Sequence, residues 1–377
     1  MVALDLLRGL AVAGMILVVS PGSWEMTYAP LKHADWHGWT PGDLVFPTFL
    51  YCVGMAIGLM VPRLTRADRT SGALWLKIAR RTGLLILLGL VLNALPNFDL
   101  ANLRIPGILQ RIALCYALAT AICVFAAGRG EDGRLRFNLA AAAVAAVGLM
   151  ALYWALIAFV PVPGFGVGHL DSNGSLPAYI DRVVFTIPHL WRWGVTEGVG
   201  VTYDPEGLLS TLPATVNVLI GAIVASLAAR GERKLMWVLA LGFFLIAGGL
   251  FLDHLIPINK RIWTPSFALL SSGIPTVAFV GLDMLSRSTR GPGLGYPLIV
   301  LGGNAILAFI LSQLLGVFGG MDVMPGPNPS PQGYVYALVM KVIADPYLAS
   351  LACAVLVLGL ITAILIPLHK RGIHLRL

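Results

Sequence analysis

The sequence is short of charged residues and of paired cysteines. Only 12% of its 377 residues are Asp, Glu, Lys or Arg, whereas soluble domains carry about 25%. Its four cysteines lie within apolar runs and form no CxxC pair, so neither a disulfide framework nor a thiolate metal site is predicted. The net charge of +8 is interpreted first as an effect of membrane topology, because basic residues favour the cytoplasmic side. No nucleic-acid partner is predicted.

Long apolar runs dominate the rest of the chain. Hydrophobic residues make up 58% of it, and the mean hydropathy is +0.83. A run of about 20 apolar residues is long enough to cross the core of a bilayer. We predict an all-α polytopic membrane protein, a bundle of about ten or eleven transmembrane helices that form a single domain over residues 1–377. Ten spans are predicted at about residues 3–20, 44–61, 81–95, 105–127, 138–160, 208–229, 235–252, 263–285, 296–318 and 348–368.

The ends of these spans differ in charge. The even-numbered loops and the C-terminal tail hold 17 Lys and Arg residues, and the odd-numbered loops hold seven. Because positive charge favours the cytoplasmic side, both termini are predicted in the cytoplasm. The loops of about residues 21–43, 161–207 and 319–347 are then on the outer face, with short helices expected in the two longer ones. Asp5 and Arg8, one turn apart in the first span, are expected to pair in a retained helix.

One outer loop combines polar, aromatic and apolar residues in a distinctive order. Residues 31–53 read LKHADWHGWTPGDLVFPTFLYCV, polar up to Asp43 and apolar afterwards. Thr40, Pro41 and Asp43 have the types and spacing of a helix N-terminus with a capping carboxylate. The pattern therefore places a titratable imidazole, His33, in a loop at the mouth of an apolar helix, and we predict this loop to be an active site.

Polar residues inside or beside other spans are a second group of candidates, because ionisable groups in lipid are costly. Gln110 and Arg111 lie in the fourth predicted span, and Arg111 is about 9 Å into it at 1.5 Å per residue. We expect this group to face the outer half of the bundle, although Arg111 could equally form a packing ion pair. The candidates assigned to substrate binding are Trp36, Gln110, Arg111, Asn259, Lys260, Trp263 and Asn304.

Five blocks of this sequence together resemble the heparan-α-glucosaminide N-acetyltransferase family and its bacterial relatives. They are LDLLRGLAVAGMILVVSPGS, LKHADWHGWTPGDLVFPTFLYCVGMAI, LRIPGILQRIALCYAL, INKRIWTPSF and LGGNAILAF. The resemblance implies a transmembrane acyltransferase that moves acetyl from cytosolic acetyl-CoA to the amino group of a terminal glucosamine on the other side. It also implies a multi-pass protein of the bacterial inner membrane, a homodimer, and His33 as the active-site histidine. His37 stands where relatives commonly have Asn, and Val19-Ser20 where they often have Asn, so neither position is assigned a catalytic role.

The chemistry of acetyl transfer suits these residues. An imidazole, whose ordinary pKa is about 6.5, can remove the proton of an amine or carry the acetyl group itself, and the sequence leaves both routes open. Asp43 can orient the ring, bind the sugar ammonium or simply cap the helix. Gln110 and Asn304 are neutral donors able to hold the thioester oxygen. Trp36 and Trp263 can stack on a sugar or anchor the protein at the membrane interface.

The last predictions concern the binding of acetyl-CoA, a metal site and an alternative function. Lys77, Arg80 and Arg81 are assigned to the phosphates of acetyl-CoA, although they also serve as topology charges. His33, Asp35 and His37 alternate, but no HExxH pattern or cysteine supports a metal, and none is predicted. The alternative function is a transporter of amino sugar or its acetylated form, which would use broken helices and a site at mid-membrane and would need no CoA.

Overall fold

Helices dominate the computed structural model, which describes residues 1–130, 133–288, 293–324 and 329–375. They are α1 Val2–Val19, α2 Val45–Met60, α3 Arg66–Thr70, α4 Gly72–Ala94, α5 Ile108–Phe125, α6 Leu139–Phe159, α7 Leu176–Phe185, α8 Thr211–Ala228, α9 Arg233–Asp253, α10 Pro265–Ser288, α11 Tyr296–Gly303, α12 Ala305–Gly319, α13 Pro331–Met340 and α14 Pro346–Lys370. Strands within these ranges are limited to two antiparallel hairpins, β1 Gly128–Arg129 with β2 Leu135–Arg136, and β3 Val195–Thr196 with β4 Gly200–Val201. The predicted helical membrane fold is confirmed, with these small hairpins added.

Eight helices in the described ranges are long and apolar enough to cross a membrane, or nine if the bent pair α11–α12 is one span. The pair bends by 87° at Asn304. The sequence predicts one continuous span there, over residues 296–318. Helix α4 falls outside this set because every 18-residue stretch of it contains Lys77, Arg80 and Arg81. The count of ten spans and the sidedness therefore stay predictions. Arg290, Arg376 and residues 325–328, which entered those predictions, lie outside the described residues.

The expected short helices of the two longer outer loops are confirmed as α7 and α13. Proline stands in the first turn of each, a position where its missing N–H group costs nothing. Helix α13 also has a side-chain cap, since the Ser330 hydroxyl accepts the N–H of Gly333 at 3.1 Å. These segments are therefore built structures rather than featureless linkers.

The described residues cluster into two compact units, a division that no feature of the sequence predicted. The first unit contains Met1–Ala34, Trp39–Phe49 and the described residues from Gly281 on. Close helix contact in it depends on glycine: a Cβ on Gly9 would lie 2.0 Å from the carbonyl oxygen of Leu298 on α11. The predicted pair of Asp5 and Arg8 is confirmed at 3.6 Å, and Arg8 also donates to the carbonyl of Gly302 at 3.0 Å.

The second unit contains Asp35–Gly38 and Leu50–Val280. Gly54 and Gly58, four residues apart on α2, lie against α8, where their added Cβ atoms would meet the carbonyl oxygens of Val218 and Ala222 at 1.8 and 2.3 Å. Small residues at this spacing let two helix backbones approach closely, as is common in membrane bundles. The loop between α6 and α8, with α7 and the β3–β4 hairpin, covers one end of this unit.

Candidate functional site

The first unit holds His33 and Asp43 in direct contact. Nδ1 of His33 lies 2.8 Å from Oδ1 of Asp43, whose side chain is 1% exposed, while the imidazole is 36% exposed. The other carboxylate oxygen, Oδ2, accepts the backbone N–H groups of Ala34 at 3.1 Å and Thr40 at 3.0 Å. A buried carboxylate therefore faces a half-exposed imidazole, and both are fixed by the backbone of one loop.

The local sequence explains this arrangement. Residues Pro41–Leu44 form a 3-10 turn that leads into α2, and Thr40 and Asp43 form the predicted capping box. Gly42 allows this turn to pack against the end of another 3-10 turn, Ala29–Leu31, since a Cβ there would lie 3.2 Å from the carbonyl oxygen of Leu31. The predicted helix start is confirmed, and the same carboxylate that caps it also contacts the histidine.

The contact has a chemical consequence for the imidazole. When Nδ1–H donates to a carboxylate, the lone pair is on Nε2, and the ring is held in one orientation. Serine-protease triads use the same histidine–carboxylate relation to keep the base in the correct tautomer. In this loop Nε2 of His33 is the nitrogen that can accept a proton or an acetyl group.

The next residues of the loop belong to the second unit. Nε1 of Trp36 donates to the carbonyl of Leu170 at 2.8 Å, and its ring meets Tyr203 edge to face, with 5.0 Å between centroids. His37 Nδ1 lies 3.4 Å from the amide nitrogen of Asn259, and partial burial lowers the pKa of His37. Trp36 is thus held by the loop between α6 and α8 of its own unit, with its indole N–H already paired.

Asn259 shapes the turn before α10. Its Oδ1 accepts the N–H of Ile262 at 3.1 Å, and its own N–H donates to Thr264 Oγ1 at 2.9 Å. Lys260 lies in the same turn, and its carbonyl accepts the N–H of Trp263 at 3.2 Å. Trp263 has a positive φ of 55°, an uncommon conformation for a bulky residue, and is fully buried. The structure brings these predicted residues together as one tight turn.

Arg111 lies against this turn inside the second unit. Its guanidinium carbon is 5.1 Å from the centroid of the Trp263 ring, and it donates to the hydroxyl of Ser210 and, at 2.8 Å, to the carbonyl of Gly207. Gln110 is also buried, with Oε1 packed against α4, where a Cβ on Gly89 would lie 2.3 Å from it. Of the predicted set, Arg111 and Trp263 are in contact.

Asn304 lies in the first unit, at the bend between α11 and α12. Its Oδ1 is 3.2 Å from Nδ1 of His374, just beyond the C-terminal end of α14. The loop before His33 instead meets the first turns of α14, where Gly22 N–H donates to the carbonyl of Ser350 at 3.1 Å. About 30 Å of helix, at about 1.5 Å per residue, separates Ser350 from Lys370. The assignment of Asn304 to the thioester oxygen stays a prediction, and its side chain contacts His374 in this structure.

The three residues assigned to acetyl-CoA lie within about one turn of α4 but differ in exposure. Lys77 and Arg80 are exposed on α4, whereas Arg81 is half-buried with its guanidinium carbon 4.4 Å from the centroid of the Tyr116 ring on α5. Arg81 is thus engaged in helix packing, and the first two remain available to a ligand. In the described part of the chain, no group of three His, Cys, Asp or Glu side chains is arranged to hold a metal ion.

Sequence reasoning missed the buried acid Asp181 on α7. Its carboxylate is 1% exposed and accepts the N–H of Leu208 at 2.8 Å, and burial raises its pKa to about 7. A single Asp in a predicted outer loop gives no signal of burial, because nothing in its neighbourhood follows a membrane-span pattern. Only the fold brings this residue to the start of α8.

Comparison with known proteins adds an independent finding. No protein-family model matches the chain. The human protein named heparan-alpha-glucosaminide N-acetyltransferase is 29% identical over 350 residues, which cover 82% of this chain and 52% of that protein. The mouse protein of the same name is 29% identical over 353 residues, which cover 82% and 53%. The chain thus spans about half the length of the curated relatives it matches. The resemblance inferred from the sequence blocks is confirmed: over 82% of its length, this chain is similar to the heparan-alpha-glucosaminide N-acetyltransferases.

Proposed function

We propose that this chain is a transmembrane N-acetyltransferase that moves acetyl from acetyl-CoA to the amino group of a glucosamine-type sugar. The observation that carries the proposal is the 2.8 Å contact between His33 and the buried Asp43 carboxylate. The similarity to proteins named as N-acetyltransferases supports the reaction class. The active-site loop faces the periplasmic or lumenal side, and the protein acts as a homodimer in a bacterial inner membrane.

The proposed reaction replaces the thioester C–S bond by an amide C–N bond. A neutral sugar amine attacks the acetyl carbonyl, CoA thiolate leaves, and the surplus amine proton passes through Nε2 of His33 to the sulfur. In the alternative route, Nε2 attacks first and CoA thiolate leaves, which produces a positively charged acetylimidazolium. The sugar amine then takes the acetyl group, and its surplus proton passes through Nε2 to the thiolate. Asp43 acts in both routes by holding Nδ1–H and stabilising the positive ring.

The proposed donor site uses the exposed cations of α4. Lys77 and Arg80 bind the phosphates of acetyl-CoA on the cytoplasmic side, because phosphate groups favour flexible ammonium and forked guanidinium donors. Arg81, which packs on Tyr116, supports the helix that carries them.

One observation favours the alternative function, transport. The 87° bend between α11 and α12 lies at the buried Asn304, and broken helices of this kind build the substrate sites of transporters. The two functions differ in thiol chemistry: transfer releases free CoA thiol, whereas transport moves labelled sugar without it.

The experiment uses the full chain, purified in detergent for thiol release and reconstituted in vesicles for sugar counterflow. Thiol release from acetyl-CoA that requires glucosamine and disappears in His33→Ala supports the transferase. Counterflow of labelled sugar with no thiol release refutes it in favour of the transporter. His169→Ala is a matched control, since His169 forms a similar contact with Asp171 at 3.2 Å but both side chains are exposed.

A further inference from the structure

A single peptide group in the second unit lies between two opposite buried charges. The N–H of Leu208 donates to Oδ1 of Asp181 at 2.8 Å, and the carbonyl of Gly207, in the same peptide, accepts from Nη2 of Arg111 at 2.8 Å. The carboxylate is thus at the positive end of the peptide dipole and the guanidinium at its negative end. Gly207 is required for this approach, because a Cβ there would lie 1.8 Å from Oδ2 of Asp181.

The remaining donors of Arg111 are not satisfied by the described part of the protein. Nη2 donates to the carbonyl of Gly207 and to the hydroxyl of Ser210. Nε and Nη1 are buried and have no hydrogen-bond partner among the described residues. The side chain is 1% exposed, so bulk water does not reach these atoms. A buried charged donor left unpaired is more costly than a neutral one, because it loses its hydration without gaining a partner. The amide nitrogen of the neighbouring Gln110 is unpaired in the same way.

The other charges around this site are already engaged. Asp204 is held by Arg104, with N–O distances of 2.8 and 2.6 Å, and Arg182 donates to the carbonyls of Thr202 and Asn173. Asp181 feels the charges of Asp204, Arg111 and Arg182, yet burial dominates and raises its pKa to about 7. The charge of Arg111 is therefore opposed by a carboxylate that becomes neutral within the physiological pH range.

We infer that Arg111 binds an oxyanion of a substrate, a carboxylate, sulfate or phosphate, through Nε and Nη1, and that Asp181 competes with this oxyanion for the positive charge. Arginine suits the task because its planar fork presents paired donors to such groups. Protonation of Asp181 removes the competing negative charge, so the oxyanion binds more tightly at lower pH. The inference rests on the proposed function only in taking the oxyanion to belong to a substrate.

Two sources can supply the oxyanion, and binding measurements on the full chain in detergent distinguish them. The acceptor probe is N-acetylglucosamine 6-sulfate, whose charge is constant over the pH range used, with neutral N-acetylglucosamine as its partner. The donor probe is CoA, with pantetheine as the partner that lacks its phosphates. Dissociation constants are measured by titration at pH 6 and pH 8, so the test needs no enzymatic activity and stands even if acetyl transfer is absent.

The expected result is a preference for the sulfated sugar that strengthens about 3- to 10-fold from pH 8 to pH 6. In Asp181→Asn the preference should be as strong at pH 8 as at pH 6, because the competing charge is absent while an oxygen still accepts the Leu208 N–H. Asp171→Asn, which removes an exposed carboxylate from the same unit, should behave like the unchanged protein. If CoA shows this Asp181-dependent preference over pantetheine and the sugar does not, the oxyanion belongs to the donor. Equal binding of charged and neutral probes in all variants would overturn the inference and leave Arg111 as a packing residue.

Discussion

His33 and Asp43 are joined by a contact of 2.8 Å that links an imidazole to the first turn of a membrane helix. Because Oδ2 of the same carboxylate accepts the N–H groups of Ala34 and Thr40, the histidine cannot reorient without disturbing the start of α2. A catalytic group supported by backbone hydrogen bonds is held more exactly than one on a free loop. The capping and catalytic interpretations of Asp43 are therefore compatible.

Two substitutions of Asp43 distinguish its contact with His33 from its role as a helix cap. Asp43→Asn keeps one oxygen for the backbone N–H groups but presents an amide N–H to Nδ1 of His33, so the ring must turn or change tautomer. We expect kcat to fall roughly 100-fold or more with little change in thermal stability. Asp43→Ala also loses the cap and should unfold more easily by about 1–2 kcal/mol. An Asp43→Asn protein with unchanged kcat would exclude the orienting role.

Asp181 should make stability depend on pH. Its pKa in the folded protein is raised to about 7 by burial, above the ordinary 3.8, so the unfolded chain ionises first as pH rises. The contribution of Asp181 to the free energy of unfolding is fully present below about pH 4 and is lost as pH rises through 7. The total loss should be on the order of 2 to 4 kcal/mol. Thermal unfolding in detergent should show this decline relative to Asp181→Asn, and parallel curves for the two proteins would contradict it.

Contact between α2 and α8 should not tolerate a methyl group. In Gly54→Ala the new Cβ would lie 1.8 Å from the carbonyl oxygen of Val218, so the helices must move apart. We expect a loss of about 1–3 kcal/mol and a lower melting temperature. Gly148→Ala on α6 is the control, because its Cβ would meet nothing within 4 Å and alanine favours the helix. Similar melting temperatures for the two variants would show that the close approach is not required.

Substitution of the exposed cations of α4 should change only the KM for a donor that carries nucleotide phosphates. Replacing Lys77 and Arg80 together by Gln should raise the KM for acetyl-CoA about 3- to 10-fold and leave the KM for acetyl-pantetheine unchanged, because the second donor has no nucleotide phosphates. Arg233 and Lys234, exposed at the start of α9, provide the control when replaced in the same way. An equal effect on both donors, or none, would remove Lys77 and Arg80 from the site.

The sequence was sufficient for features whose parts lie close together in the chain. Apolar runs located the eight helices that could cross a membrane, and His33, Ala34 and Thr40, which contact the Asp43 carboxylate, lie within ten residues of it. The bend at Asn304 was missed because two glycines before it, Gly302 and Gly303, also suit a straight helix that packs closely. Gly302 does pack against α1, where a Cβ would lie 2.0 Å from the carbonyl oxygen of Asp5.

The site around Arg111 could be predicted only in part. A buried arginine in an apolar span is a visible anomaly, but its hydrogen-bond partners, the carbonyl of Gly207 and the hydroxyl of Ser210, are distant in sequence. Both precede α8 in a connecting segment, and a peptide carbonyl has no sequence signature. The placement of Asn304 beside His374 had the same cause, since the path of the chain after a sharp bend depends on tertiary packing.

The most direct test of the central claim is the rate at which the purified protein releases free thiol from acetyl-CoA in the presence of glucosamine. The account predicts that His33→Ala lowers this rate at least about 100-fold, as removal of an essential base or acetyl carrier does, while His169→Ala leaves it unchanged. Equal rates in the unchanged protein and His33→Ala would contradict the assignment of His33 to acyl transfer.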